Sequence, residues 1–318
     1  MLNIEEIREA QRRIAPYIVK TPLLRMPMLD ERLGCQAYIK ADNMQVTGAF
    51  KIRGALNAIL SIPQEKLKSG VVCASSGNHG RGVSYGAKML GIPATVVMPD
   101  TATQVKIDAI RALGAEVVSC RAEERFDVAE KISRETGAEF IPPFNDERVM
   151  AGQGTAGLEI AEQQPDLDCV VVPVSGGGLI SGISTALRAA APEMKIYGAE
   201  PARIPRYTRS LEAGKPVFVS FQKTIADALV SSIPGDKCFP VVQKNVDQVV
   251  DVSDDYVLRA MKLLLLTGKI LAEPSSCIGI AAVLEGLIPV RPDEKVCFFV
   301  SGGSVGLSQL KVLEDVEA

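Results

Sequence analysis

CVVVPVSGGGLISGISTALRAAAP, residues 169 to 192, decides the reading of the fold. A nearly unbroken apolar, β-branched run passes through three consecutive glycines into a helical stretch closed by Pro192. Such a run predicts a strand buried on both faces, as in parallel sheets covered by helices on either side. The same alternation extends along the chain. YIK, VVCA (71–74), ATVVMP (94–99), AEVVSC (115–120), KIYGAE (195–200) and KVCFFVS (295–301) read as further strands. HGRGVSYGAKMLG, QVKIDAIRALG and FDVAEKISRETG read as the helices between them. The expectation is an α/β fold with mostly parallel sheets.

The 318 residues exceed a typical single domain, so one large or two joined domains are expected. An apolar fraction of 47% and a charged fraction of 23% are those of an ordinary globular chain. With net charge −3 and no cluster of Lys and Arg interleaved with aromatics, nothing attracts a nucleic-acid backbone. The seven cysteines (35, 73, 120, 169, 238, 277, 297) stand singly, several in apolar runs, which fits reduced buried thiols and a cytoplasmic setting. One histidine and no C-x-x-C pair leave no basis for a zinc site. No apolar run approaches the roughly 18 residues needed to span a bilayer, so no membrane role is expected. At the N-terminus, Asn3 and Glu6 form a capping-box pattern ahead of an amphipathic helix presenting Ile4, Ile7 and Ile14.

Loops at the carboxyl ends of parallel strands bind ligands, and three here are rich in glycine: SSGNHG (75–80), SGGGL (175–179) and SGG (301–303). SGGGLISG opens a helix after a strand, so its N–H groups can converge on a phosphate. Gly176, Gly178 and Gly182, with Glu200 further on, imitate a dinucleotide fingerprint, but the spacing is G-x-G-x-x-x-G. A plain tight turn is the remaining alternative. Gly302-Gly303-Ser304-Val305-Gly306 formally matches a nucleophile elbow, but no histidine follows it and His79 lies far upstream. Ser75, Ser76, Asn78 and His79 surround a turn that could simply cap a helix. Lys51 starts a helical stretch in TGAFKIRGALNAI; an isolated lysine there reads equally as a solvated charge or as an amine nucleophile.

Together and in this order, TGAFKIRGA (47–55), SSGNHG, SGGGL, AEPSS (272–276) and SGG resemble the serine racemase and threonine dehydratase family of fold-type II pyridoxal-phosphate enzymes. TPLLR (21–25), GQGT (152–155) and IADAL (225–229) extend the resemblance over essentially the whole chain. It implies a tryptophan synthase β-subunit-like fold of two α/β domains. The large cofactor-binding domain would be 1–62 with 147–318, and the small inserted domain 63–146. It also implies pyridoxal 5'-phosphate as cofactor, a small amino acid as substrate and a homodimer.

Residue by residue, the resemblance makes Lys51 the Schiff-base lysine and Phe50 a neighbour of the ring. Asn78 would meet the ring's 3-hydroxyl, Ser175, Gly176, Gly177, Gly178 and Leu179 the phosphate, and Ser301 the pyridine nitrogen. Ser75, Ser76, Asn78 and His79 would hold the substrate carboxylate. Ser76 also stands where serine racemases keep the acid/base on the face opposite the lysine. Arg125 and Ser231 would hold the distal end of the substrate. The implied activity is β-elimination from serine, threonine or 3-hydroxyaspartate to a 2-oxo acid and ammonia, with racemisation as the alternative. A non-catalytic ligand-binding protein on the same fold would be expected to lose the lysine, and Lys51 is present.

The chain also departs from the family pattern. Ala49 replaces the usual Ser, Ala228 the usual Gly, and Ser304 the common Asn. Metal-dependent relatives place a Glu, a carbonyl four residues on and an Asp six residues on. From Glu200 that count reaches Ile204 and Arg206, so no metal is expected and Arg206 is expected to pair with Glu200.

Overall fold

The computed structural model describes residues 1–75 and 77–317. In chain order the strands are β1 (Leu23–Arg25), β2 (Gln36–Ala41), β3 (Val71–Ala74), β4 (Ala94–Pro99), β5 (Glu116–Cys120), β6 (Glu139–Phe140), β7 (Cys169–Pro173), β8 (Lys195–Pro201), β9 (Gln248–Val252) and β10 (Lys295–Val300). The first seven helices are α1 (Ile4–Ile14), α2 (Pro27–Leu33), α3 (Lys51–Leu60), α4 (Asn78–Leu90), α5 (Gln104–Arg111), α6 (Arg125–Thr136) and α7 (Glu147–Gln163). They are followed by α8 (Gly178–Ala190), α9 (Arg206–Ala213), α10 (Phe239–Asn245), α11 (Asp254–Leu266), α12 (Pro274–Leu284) and α13 (Leu307–Lys311).

The strands build two sheets, of order β1-β2-β10-β7-β8-β9 and β5-β4-β3-β6. All pairings are parallel except that of β1 with β2. The α/β expectation therefore holds. Side-chain alternation on β7 explains its continuous apolar run: Cys169 and Val171 join the core built with α11 and α12, whereas Val170 and Val172 face Leu179, Ile180, Ile183 and Leu187 of α8. The second sheet is covered likewise, by α3, α4 and α5 on one face and by α6 on the other. The capping box at Asn3 forms, with its Oδ1 accepting from the N–H groups of Glu5 and Glu6. Ile7 and Ile14 are buried, and Ile4 packs at the edge of that core.

Helix α7 joins the pieces that matter for function. A side-chain carbon added at Gly152 would lie 2.3 Å from the Arg53 carbonyl oxygen on α3, and one at Gly182 of α8 would lie 2.3 Å from the Met150 carbonyl oxygen on α7. Only bare backbone permits both approaches. A buried ionic network reinforces the first. The Arg53 guanidinium bonds both Asp42 oxygens (2.7 and 2.9 Å) and both Glu159 oxygens (2.7 and 2.9 Å), and Lys40 bonds Glu159 at 2.6 Å. Two cations thus meet two carboxylates without exposure, fixing α3 against β2 and α7. The described cysteines are all free, six of them buried, and no described helix is long and apolar enough to cross a membrane.

Candidate active site

Lys51 opens α3 directly beneath the end of β10. The Phe50 N–H donates to the Ser301 carbonyl oxygen at 2.9 Å, and Ala49 bridges to Gly302 in antiparallel register. The Phe50 ring stands edge-on to Phe299 with centroids 6.3 Å apart, and Lys51 Nζ lies 5.1 Å from the Phe50 centroid. Nζ donates to the Pro143 carbonyl oxygen at 2.6 Å. Burial brings the Lys51 ammonium down to about 8, against the opposing influence of Cys238 and Glu273. An amine in that range is readily deprotonated near neutral pH, as a nucleophile must be.

The next residue, Phe144, packs against the loop after β7. A carbon added at Gly176 would lie 2.4 Å from the Phe144 ring, and one at Gly178 would lie 3.0 Å from Phe144 Cβ. One dipeptide, Pro143-Phe144, therefore connects the lysine amine to the glycine-rich entrance of α8. Gly177 precedes that helix at φ +100°, and a carbon added to it would meet the Tyr207 hydroxyl at 1.8 Å. The N–H groups of Gly176, Gly177, Gly178 and Leu179 have no acceptor among the described residues. Together with the positive end of α8 they make a cradle for an anion.

Two more loops complete the site. Asn78 Nδ2 donates to both oxygens of Glu273 (2.9 and 3.1 Å), and the Ser304 hydroxyl donates to Asn78 Oδ1 at 2.6 Å. Burial pushes the Glu273 carboxyl up to about 7, although the bonds from Asn78 act the other way. Ser301 and Ser276 hydroxyl oxygens are 2.9 Å apart, so Ser301 presents a neutral group. Ser75 Oγ accepts from the Gly77 and Gly80 N–H groups at 3.1 and 2.8 Å. It thus caps the turn into α4, the plainer role considered for it from sequence. The His79 ring nitrogen Nε2 donates to the Ile141 carbonyl oxygen at 2.9 Å, and burial lowers this histidine to about 3, so it is neutral. Its Nδ1 has no partner among the described residues. Ser76 lies outside the described residues.

Ser231 reaches the phosphate-type loop, its N–H donating to Ser175 Oγ at 3.3 Å and its hydroxyl to the Ile233 carbonyl oxygen at 2.8 Å. Arg125 starts α6 after β5, at the same carboxyl rim as Ser75, Asn78 and His79, and donates to the Ala122 carbonyl oxygen at 2.6 Å. Arg206 and Glu200 are both fully buried, 3.8 Å apart. Glu273 and Ser276 lie in AEPSS but carry no role in the sequence reading, and neither do Pro143 and Phe144. The first pair lay inside a recognised motif; the others belong to segments with no motif of their own.

The model of the family described as pyridoxal-phosphate dependent enzyme matches residues 14–302. The chain belongs to that family. It is 43% identical to L-threonine ammonia-lyase of Thermotoga maritima over 98% of this chain and 77% of that one. It is 37% identical to L-threo-3-hydroxyaspartate ammonia-lyase of Saccharomyces cerevisiae over 97% of this chain and 95% of that one. Maize serine racemase superposes with a TM-score of 0.93 at 40% identity, covering 98% of this chain and 96% of that one. The fold is that of fold-type II pyridoxal-phosphate enzymes, and the cofactor is pyridoxal 5'-phosphate. A deprotonatable buried amine, an aromatic neighbour and an open cradle of N–H donors suit its aldehyde, ring and phosphate.

Proposed function

We propose that this enzyme removes water and ammonia from a small β-hydroxy amino acid (serine, threonine or 3-hydroxyaspartate) to give a 2-oxo acid. The observation that carries the reading is the meeting of Lys51 and the glycine-rich entrance of α8 on the Pro143-Phe144 dipeptide. The named activities of the yeast and Thermotoga relatives support the substrate class.

Bound pyridoxal phosphate supplies an aldehyde that captures an amine and a conjugated electron sink. The chain supplies the rest. Lys51 would hold the cofactor through its amine and would take the substrate's Cα proton as general base. Ser175, Gly176, Gly177, Gly178 and Leu179 would hold the phosphate, and Asn78, whose amide is fixed by Glu273 and Ser304, would orient the ring through its 3-hydroxyl. Phe50 neighbours the ring. Ser301, already engaged with Ser276, would offer the ring nitrogen a neutral hydroxyl rather than a charged group. Ser75, Ser76, Asn78 and His79 would hold the substrate carboxylate, His79 through its backbone N–H because its neutral ring already donates to Ile141, and Arg125 and Ser231 would hold the distal end.

The likeness to maize serine racemase supports a second reading, in which Ser76 returns a proton on the face opposite Lys51. The remaining parts of the proposal are a small inserted domain at 63–146 around the second sheet, a large domain of 1–62 with 147–318, a homodimer and a cytoplasmic setting. A panel of L- and D-serine, threonine and 3-hydroxyaspartate isomers, followed for 2-oxo acid and for enantiomer, tests the reading. Elimination from at least one of these is expected, and turnover of none of them contradicts it. If racemisation occurs, Ser76→Ala abolishes it while sparing elimination; equal loss of both assigns Ser76 to carboxylate binding.

A further inference from the structure

Arg206 is among the largest fully buried side chains of the protein, and its surroundings are unusual for a charge. Its guanidinium donates to four backbone carbonyl oxygens: Val174 at 2.7 Å and Leu229 at 2.9 Å from Nη2, Ser175 at 3.0 Å from Nε, and Ile204 at 2.7 Å from Nη1. Glu200 lies 3.8 Å away, and its carboxylate also accepts the N–H groups of Tyr207 and Thr208 at 3.0 and 2.7 Å. We propose that Arg206 is a positioning residue for the cofactor phosphate, setting the direction of the N–H groups in the loop after β7. The proposal rests on Ser175–Leu179 being the phosphate loop.

In a planar trans peptide the carbonyl of one residue points opposite to the N–H of the next. Arg206 draws the carbonyls of Val174 and Ser175 to one side. The Gly176 carbonyl is taken by the Tyr207 hydroxyl at 3.2 Å and the Gly235 N–H at 2.9 Å. Three successive carbonyls anchored by that scaffold fix the orientation of the N–H groups of Ser175, Gly176 and Gly177, the last two of which belong to the cradle. The bonds to Ile204 and Leu229 hold the guanidinium plane and tie the end of IADAL to the same scaffold. A planar fork with several donors can serve four carbonyls from three segments at once; a lysine ammonium has three donors radiating from one point and cannot span them. The buried positive charge behind the loop adds attraction for a dianion, moderated by Glu200.

The test compares pyridoxal phosphate with pyridoxal, which has the same aldehyde and ring but no phosphate. The full-length chain is stripped of cofactor and titrated with each, for the wild type, Arg206→Lys and Arg206→Met, with far-ultraviolet circular dichroism confirming the fold. Both variants should bind pyridoxal phosphate about tenfold or more weakly, as expected for losing charged hydrogen bonds that organise the loop. Their affinity for pyridoxal should be unchanged, and the phosphorus resonance of the bound cofactor should move toward that of the free form. Equal weakening toward both compounds, or toward neither, overturns the proposal, because Arg206 would then be structural or dispensable. If neither variant folds, Arg206 is a folding residue and the proposal fails. A wild type with no preference for the phosphorylated compound instead refutes the phosphate-loop reading on which it rests.

Discussion

Replacing Arg53 by methionine tests whether the ionic network behind Lys51 has the consequences its geometry implies. Arg53 makes four short hydrogen bonds to two carboxylates, and neither it nor Asp42 is exposed. Burial by itself raises the Asp42 carboxyl, but Arg53 and Lys40 more than reverse this and hold it below the ordinary range. In Arg53→Met, Lys40 alone faces Asp42 and Glu159, leaving one uncompensated buried negative charge. Removing one partner of such a set costs about 3–5 kcal/mol. At about 2 °C per kcal/mol for a chain of this size, Tm should fall by roughly 6–10 °C. The pH dependence should also change sign. In the wild type, the Asp42 contribution is complete above the ordinary carboxylate range and is lost as pH falls through the depressed folded value. In the variant, one of the two carboxylates takes up a proton on folding, so stability falls as pH rises, by up to about 1.4 kcal/mol per unit. The chain has no tryptophan, so thermal unfolding of the holoenzyme is followed by circular dichroism at pH 5 and pH 8. Midpoints within about 2 °C of the wild type at both pH values would refute the reasoning.

Other perturbations probe the site itself. Glu273 holds its proton up to about pH 7 in the folded protein against an ordinary value of 4.5, so its contribution to stability falls as pH rises through that window, by up to about 3 kcal/mol. Glu273→Gln should flatten that part of the pH–stability profile; denaturant midpoints at pH 5 and 8 that keep the wild-type difference would count against the buried carboxyl as its source. Gly177→Ala imposes a side chain at φ +100° and against the Tyr207 hydroxyl, so apparent affinity for the cofactor should fall about tenfold or more, and unchanged affinity in a direct titration would show that the loop is not the cradle. Arg125→Ala should lower turnover of 3-hydroxyaspartate relative to serine, because a second carboxylate loses its partner; an unchanged ratio in paired kinetic assays removes Arg125 from the substrate.

The architecture was legible where the chain is most apolar. β7, β10 and α8 follow from continuous β-branched runs and glycine punctuation, because both faces of those strands are buried. β1 and β6, of three and two residues, are too short to leave a pattern, and β9 is a five-residue run, QVVDV, with polar residues at positions 248 and 251 that interrupt its apolar character. Helix α7 was hidden by the glycines of GQGT, residues of low helix propensity that are required by close approach to α3 and α8. In the candidate site, Lys51, Asn78 and the SGGGL loop stand in ordered motifs, and those motifs single them out. The bonds of Glu273 to Asn78 and of Arg206 to four carbonyls were not legible in the sequence, because their partners come from separate segments that only the fold brings together. Counting along the loop from Glu200 anticipated that Arg206 would lie beside it, but not the carbonyls that take most of its hydrogen bonds.

The central claim is that Lys51 is the residue that holds the cofactor and serves as base. Borohydride reduction of the holoenzyme, followed by proteolysis and mass mapping of the cofactor-bearing peptide, tests it most directly. The account predicts the reduced cofactor on Lys51 in the wild type, and neither trapped cofactor nor turnover in a folded Lys51→Ala variant. Cofactor trapped on any other lysine of the wild type, or a Lys51→Ala protein that still forms 2-oxo acid at the wild-type rate, contradicts it.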